Sequence, residues 1–236
     1  MESEFLDKVE YNTVVRICVT QNNLQELKEI WVQRDDEVKQ LFYCNYGDFH
    51  YLLDIKVDEH LFRALAQFWN SPYNCFTFEK VDMVPTVEEY TALLRCLRIQ
   101  ADKAYSRAAN VLTFVKKLMK ITEMSEQWVT ARIKQKGENK CIHWKSLRDL
   151  ILAHPDTRKK VDVFALSIYG LIIFPKALGH VDKAVIDLFD QLDKRVTPVP
   201  AILAETFRSL SACRRTGEGR FIGCAQLLLA WFYNHF

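Results

Sequence analysis

Apolar residues recur along most of this chain with the spacing of a helix face. Val181, Ala184, Val185, Leu188, Phe189 and Leu192 stand at i, i+3, i+4, i+7, i+8 and i+11, with Asp182, Lys183, Asp187 and Asp190 opposite them, the stripe of an amphipathic helix. Val87, Tyr90, Leu93, Leu94 and Leu97 repeat the pattern. Thr86 and Glu89 make a capping box ahead of them, and Pro85 closes the preceding segment. Further helices are predicted around Leu61, Ala64, Leu65 and Phe68, starting near Asp58, and around Val111, Phe114, Val115 and Leu118. Another holds Trp128 and Ala131 and ends at Gly137 as a left-handed cap. Trp144, Leu147, Leu150 and Ile151 give one more, ending before Pro155.

Two segments are apolar nearly all round: Val161 to Phe174, closed by Pro175, and Phe221 to Phe236. Such helices are surrounded by others. Strand signals are thin. Cys75-Phe76-Thr77-Phe78 reads as a short strand, and Phe49 to Ile55 as strand or loop. The expected fold is mainly α, a single compact domain of about ten helices with at most a small β element near 75–78 and a second candidate at 49–55. No repeat period of solenoid length occurs. Residues 1–56 are expected to form an acidic N-terminal helical extension and 57–236 the helical domain. The run from Leu227 to Phe236 finishes on aromatics without a polar tail, the pattern of a domain cut at a core helix, which predicts C-terminal truncation.

Composition narrows the class. With 49% hydrophobic and 26% charged residues, seven Gly and six Pro among 236, the chain has ample apolar surface for a core and is neither collagen-like nor disordered. Seven cysteines at 18, 44, 75, 96, 141, 213 and 224 include no C-x-x-C pair, which reads as reduced, intracellular thiols. The N-terminus has no basic start followed by an apolar run, so no signal peptide is expected. The apolar run 161–174 contains Asp162 and falls short of the roughly 20 residues of a membrane span.

The net charge of +2 conceals a strong asymmetry. The balance is −8 over residues 1–102, +9 over 103–160 and +1 over 161–236. The basic third carries Lys116, Lys117, Lys120, Arg132, Lys134, Lys136, Lys140, Lys145, Arg158, Lys159 and Lys160. One reading is a surface that meets the phosphate backbone of DNA or RNA, with Lys116, Lys117, Lys120, Arg132, Lys134, Lys136, Arg158, Lys159 and Lys160 as contact residues. The other is a set of solvated helix faces balanced by the acidic N-terminal third.

Catalytic signatures are sparse. There is no G-x-S-x-G, H-E-x-x-H, Walker A or G-x-G-x-x-G motif. Gly217-Glu218-Gly219 reads as a helix–helix turn. Cys141, His143 and His154 match no zinc module, and His143 before Trp144 reads as a capping or packing residue. Asp187, Asp190 and Asp193 read as a solvated helix stripe, with Mg²⁺-dependent phosphoryl transfer as the alternative. Lys176 after Pro175 reads as a basic helix end, because a pyridoxal lysine needs a phosphate cradle and an acidic partner. The tryptophans at 31, 69, 128, 144 and 231 read mostly as core. No catalytic residue, metal site or cofactor is expected.

Several blocks resemble the plant mobile domain. They are Trp69-Asn70-Ser71-Pro72, Phe76-Thr77-Phe78, Val84-Pro85-Thr86-Val87-Glu88-Glu89-Tyr90, Tyr169-Gly170-Leu171-Ile172-Ile173-Phe174-Pro175, Leu203-Ala204-Glu205-Thr206-Phe207-Arg208-Ser209-Leu210, and Ile222-Gly223-Cys224-Ala225-Gln226-Leu227-Leu228-Leu229-Ala230-Trp231. Order and spacing agree over 57–236, and the wording is nearest to an uncharacterised plant-specific subfamily abundant in repeat-rich genomes such as cotton. The departure is Val81-Asp82-Met83-Val84, where the family usually has Gly-Glu before the proline. The resemblance implies an all-helical, transposon-associated domain with nuclear roles and no agreed catalytic residues. Some members carry an aminotransferase-like label, for which these residues offer no cofactor site.

The expected function is a non-enzymatic interaction domain of a transposon-derived nuclear protein, with the cytoplasm as alternative location. Its expected partners are nuclear or chromatin proteins, with DNA or RNA bound through the basic face, and no membrane. The alternatives are a phosphoryl-transfer or degenerate pyridoxal enzyme, or a truncated, non-functional mobile-element remnant.

Overall fold

The computed structural model describes residues 16–17, 21–95, 113–137, 139–192, 197–216 and 220–235. In chain order they form strand β1 (Arg16–Ile17), helices α1 (Gln21–Val32) and α2 (Asp36–Tyr46), a 3₁₀ turn (Phe49–Leu53), and helix α3 (Glu59–Phe68). Strands β2 (Trp69–Asn70), β3 (Cys75–Phe78) and β4 (Val81–Met83) precede α4 (Val87–Leu94). Helices α5 (Phe114–Thr122) and α6 (Glu126–Arg132) lead into strands β5 (Ile133–Lys136) and β6 (Asn139–His143), then α7 (Trp144–Ala153) and α8 (Thr157–Ile168). A π-helical turn (Tyr169–Ile173), β7 (His180–Asp182), α9 (Lys183–Leu192), α10 (Val199–Thr216), β8 (Arg220–Phe221) and α11 (Ala225–Tyr233) complete the order. The protein is mainly α with small sheets, as the periodicity predicts, with eleven α-helices among the described residues.

These residues fall into two compact units. The first takes β1 and the described residues of Ile55–Leu93 and Val199–Phe236. Asp58 caps α3 by accepting from the backbone of His60 and Leu61. The helix buries Leu61, Phe62, Ala64, Leu65 and Ala66. The β2-β3-β4 sheet is antiparallel, and β1 pairs with β8 in parallel. The capping box forms as read: Thr86 Oγ1 accepts from Glu89 N at 3.2 Å and Glu89 Oε2 accepts from Thr86 N at 2.9 Å. Trp69 stacks on Phe207, and Phe76 on Trp231. Gly223 lies so close to the Phe221 ring that a Cβ would stand 2.7 Å from it.

The second unit takes the described residues of Val19–Asp54 and Leu94–Pro198. At its centre is α8, buried from Val163 to Ile168 and continuing buried through the π-helical turn. At Gly170 a Cβ would lie 2.5 Å from Val181 Cγ2, so only glycine lets β7 approach this closely. Residues 21–54 pack within this unit. Trp31 stacks on Phe164, Tyr46 Oη donates to Asp162 Oδ1 at 2.7 Å, and Trp144 Nε1 donates to Glu26 Oε2 at 2.8 Å.

Four local readings change. Phe49–Leu53 is a 3₁₀ turn, because Phe49, Leu52 and Leu53 are all buried and an alternating strand would expose every second side chain. Gly137 (φ 60°) turns the β5–β6 hairpin, since α6 stops at Arg132. Val181 sits in β7, and its helix begins at Lys183. Phe221 belongs to β8, with α11 starting at Ala225. Among the described residues no helix is long and apolar enough to cross a membrane.

Candidate nucleic-acid interface

The basic residues of the middle third meet different fates. Helix α5 starts at Thr113, whose hydroxyl accepts from Lys116 N, and buries Phe114, Leu118 and Ile121. Lys117 lies on that same face and is 2% exposed. Its Nζ is 2.7 Å from Asp187 Oδ1 on α9, and one turn on, Lys120 Nζ is 3.1 Å from Asp190 Oδ1. Both pairs are three residues apart on their own helices, so the packed helices bring them into register. Asp187 also pairs with Lys183, and Asp190 is buried. Lys117 is therefore corrected from contact residue to internal ion pair: an ammonium sealed from solvent cannot meet a phosphate. The Asp187–Asp190 pair is likewise no solvated stripe. Asp193 lies outside the described residues.

The start of α8 holds Arg158, Lys159 and Lys160, behind Asp156, whose carboxylate caps Arg158 N at 2.7 Å. Lys159 turns inward, 3.1 Å from Asp162 Oδ2 and 3.8 Å from Glu123 Oε1. It also donates to the Lys120 carbonyl at 3.4 Å, which places this turn beside the end of α5. Arg158 is exposed and Lys160 half-buried, at the helix end whose dipole disfavours cations.

The hairpin gathers the rest. Ile133 pairs with Ile142, Lys134 with Cys141, Gln135 with Lys140, and Lys136 with Asn139; β7 then pairs Cys141 with Asp182 and His143 with His180. Paired residues share a face. One face therefore buries Ile142 and Val181 beside half-buried Ile133, and the other carries Lys134, Lys136, Cys141, His143, His180 and Asp182. Strand β7 covers only Cys141–His143, so the tip from Lys134 to Lys140 is a two-stranded ribbon exposed at each described position. Lys145 follows, also exposed. Arg132 lies 4.1 Å above the half-buried Trp128 ring, the exception to the core reading of the tryptophans.

Electrostatics register this concentration of charge. Burial, then His180, Lys134, Lys145 and Lys136, push the His143 imidazole below its ordinary value. Its Nδ1 accepts from Lys145 N at 3.0 Å, the capping alternative of the capping-or-packing reading. Its ring meets His180 edge-on at 4.5 Å, and His180 Nδ1 lies 3.1 Å from Lys136 Nζ. Among the described residues no carboxylate pairs with Lys134, Lys136, Lys140 or Lys145.

Cys141 is buried, with its thiol pushed up chiefly by burial, and donates to the Lys134 carbonyl. His154 stands at the far end of α7, about 16 Å along the helix from His143. No three His, Cys, Asp or Glu side chains among the described residues converge on a metal position. Lys176 Nζ is 3.8 Å from Asp182 Oδ2, and Asp182 Oδ1 accepts from Val185 N at the start of α9. Gly217 to Gly219 lie outside the described residues. His180 and Asp182 were missed because Val181 reads as the first residue of a helix stripe; Gly179 (φ 69°) is the signal that a turn, then a strand, precedes that helix.

A family model described as a domain of unknown function, DUF7745, matches residues 26–236. The chain belongs to this family. No curated protein and no solved structure matches the chain. The DUF7745 match takes in α1 from Glu26 onward and every later element, the hairpin included.

Proposed function

We propose that this DUF7745 chain is a non-enzymatic interaction domain that holds the phosphate backbone of a nucleic acid against its β5–β6 hairpin. The observation that carries the reading is the exposed set Lys134, Lys136, Lys140 and Lys145, free of carboxylate partners among the described residues. Lys117 is meanwhile sealed in a pair with Asp187, while Lys120 and Lys159 are paired with Asp190 and Asp162. A two-stranded ribbon fits the major groove of a duplex, and its lysines displace condensed counterions. Arg158 and Lys116 are exposed and Lys160 half-buried, and they add weaker contributions.

The nuclear setting and the mobile-element origin rest on the resemblance to the plant mobile domain. Most residues that carry it serve packing or capping. Trp69, Phe76, Gly170, Gly223 and Trp231 are buried, and Thr86 and Glu89 cap α4. The resemblance therefore supports a shared fold and context, while the hairpin supports the activity. Mobility shifts of labelled DNA and RNA duplexes test it, using the native chain and the Lys134→Glu/Lys136→Glu/Lys140→Glu variant. Retarded duplex with the native chain and none with the variant is the expected result; equal retardation by both would end the proposal.

A further inference from the structure

The first unit contains a cleft of about 530 Å³ remote in sequence from the hairpin. Its walls come from the end of α3 (Phe68), β2 (Asn70), the following turn (Ser71, Pro72), β3 (Thr77) and the end of α10 (Arg214). That volume lies within the range of small-molecule sites.

The polar lining is rich in donors. Asn70 Nδ2 donates one hydrogen to Thr77 Oγ1 at 3.3 Å and keeps its second. Ser71 Oγ is shielded from solvent and has no hydrogen-bond partner, an unsatisfied group that a ligand would engage. Arg214 is exposed at the cleft and pairs with no carboxylate among the described residues. Phe68 and Pro72 add apolar wall.

We infer that this cleft binds an organic phosphate monoester. One guanidinium sets the charge of the ligand at an anion, and its fork matches phosphate oxygens bidentately. The hydroxyl and amide donors come from β2, the turn and β3, while the guanidinium comes from α10. Donors drawn from separate elements lining one cleft suit a tetrahedral group with three terminal oxygens better than a planar carboxylate. Phe68 and Pro72 receive the apolar or ring portion of the ester. Ser71 joins by rotating its hydroxyl about χ1, a change between staggered wells. The ester comes either from a free mononucleotide-sized metabolite or from the terminal phosphate of a nucleic-acid strand.

Calorimetric titration of the full chain with phenyl phosphate, adenosine monophosphate, a 5′-phosphorylated trinucleotide, inorganic phosphate and benzoate tests this. Saturable binding of a monoester, with benzoate and inorganic phosphate weaker, is expected. A preference for the mononucleotide points to the free metabolite, and one for the trinucleotide to a strand end. Arg214→Ala should weaken the monoester roughly tenfold to a hundredfold, Arg214→Lys less, and Ser71→Ala by a few-fold. The hairpin variant Lys134→Glu/Lys136→Glu/Lys140→Glu should leave this binding unchanged, which separates the cleft from the proposed duplex surface. Absence of saturable monoester binding, binding indifferent to Arg214→Ala, or binding lost with the hairpin variant would each overturn the inference.

Discussion

The Lys117 ammonium meets the Asp187 carboxylate at 2.7 Å across the contact of α5 with α9, with Lys117 2% exposed. This pair and its neighbour, Lys120 with Asp190, turn a block that reads as a uniform basic surface into two parts. One pairs with the acids of α9, and the other stays exposed on the hairpin without a carboxylate partner among the described residues.

The pair is expected to respond asymmetrically to substitution. Lys117→Met keeps the volume, and Asp187 retains Lys183, so the loss should stay under about 1 kcal/mol. Asp187→Ala leaves a buried ammonium without its carboxylate and should cost about 3 kcal/mol. Urea denaturation of both variants checks this; equal losses would place the Lys117 ammonium in solvent.

Glu89 should make stability sensitive to acid. Burial alone would raise its carboxyl, but hydrogen bonds from the Thr86 backbone, the Trp231 indole and the Thr86 hydroxyl, together with His235, hold it below the ordinary value. A depressed carboxyl gives stability that is complete above its unfolded value of about 4.3 and is lost as pH falls through the lower folded value. Glu89→Gln should therefore narrow its stability deficit against the native chain as pH drops below about 4.3. Thermal melts across that range measure it, and a pH-independent deficit would contradict the hydrogen-bonding scheme.

Gly170 and Val181 should be energetically coupled. Gly170→Ala places a methyl 2.5 Å from Val181 Cγ2 and should cost about 1–3 kcal/mol through overpacking. Adding Val181→Ala opens that space, so the double variant should be more stable than the two single losses imply. Strict additivity in chemical denaturation would refute the contact.

The apolar stripes make two similar substitutions diverge. From sequence alone, Phe164→Asp and Leu188→Asp should both unfold the protein. In the structure Phe164 is 4% exposed and stacks on Trp31 at 5.5 Å, whereas Leu188 is only half-buried beside fully enclosed Ile186. Phe164→Asp should abolish the cooperative melt, and Leu188→Asp should only lower its midpoint.

Helices were legible where the period of 3.6 is clean, as in α3, α7 and the capping box ahead of α4. The hairpin was not, because Lys-Gln-Lys at 134–136 and Asn-Lys at 139–140 show no apolar alternation. The sheet is anchored by Ile133, Ile142 and Val181, which come together only after folding. The Lys117–Asp187 pairing spans 70 residues and is a tertiary fact. Its one local trace is that Lys117 stands at i+3 from Phe114 and i−4 from Ile121, inside the stripe. The charge count along the chain marks where the basic residues lie in sequence, and it is silent about which side chains stay exposed.

The central claim is tested most directly by the salt dependence of duplex affinity. Fluorescence anisotropy of a short duplex, titrated at several salt concentrations, gives the slope of log affinity against log salt for the native chain, the Lys134→Glu/Lys136→Glu/Lys140→Glu variant and the Lys117→Met variant. The account predicts a steep native slope, a slope shallower by about 3 for the hairpin variant on double-stranded DNA, and an unchanged one for Lys117→Met. A flat native slope, or a loss in Lys117→Met equal to that of the hairpin variant, would contradict it.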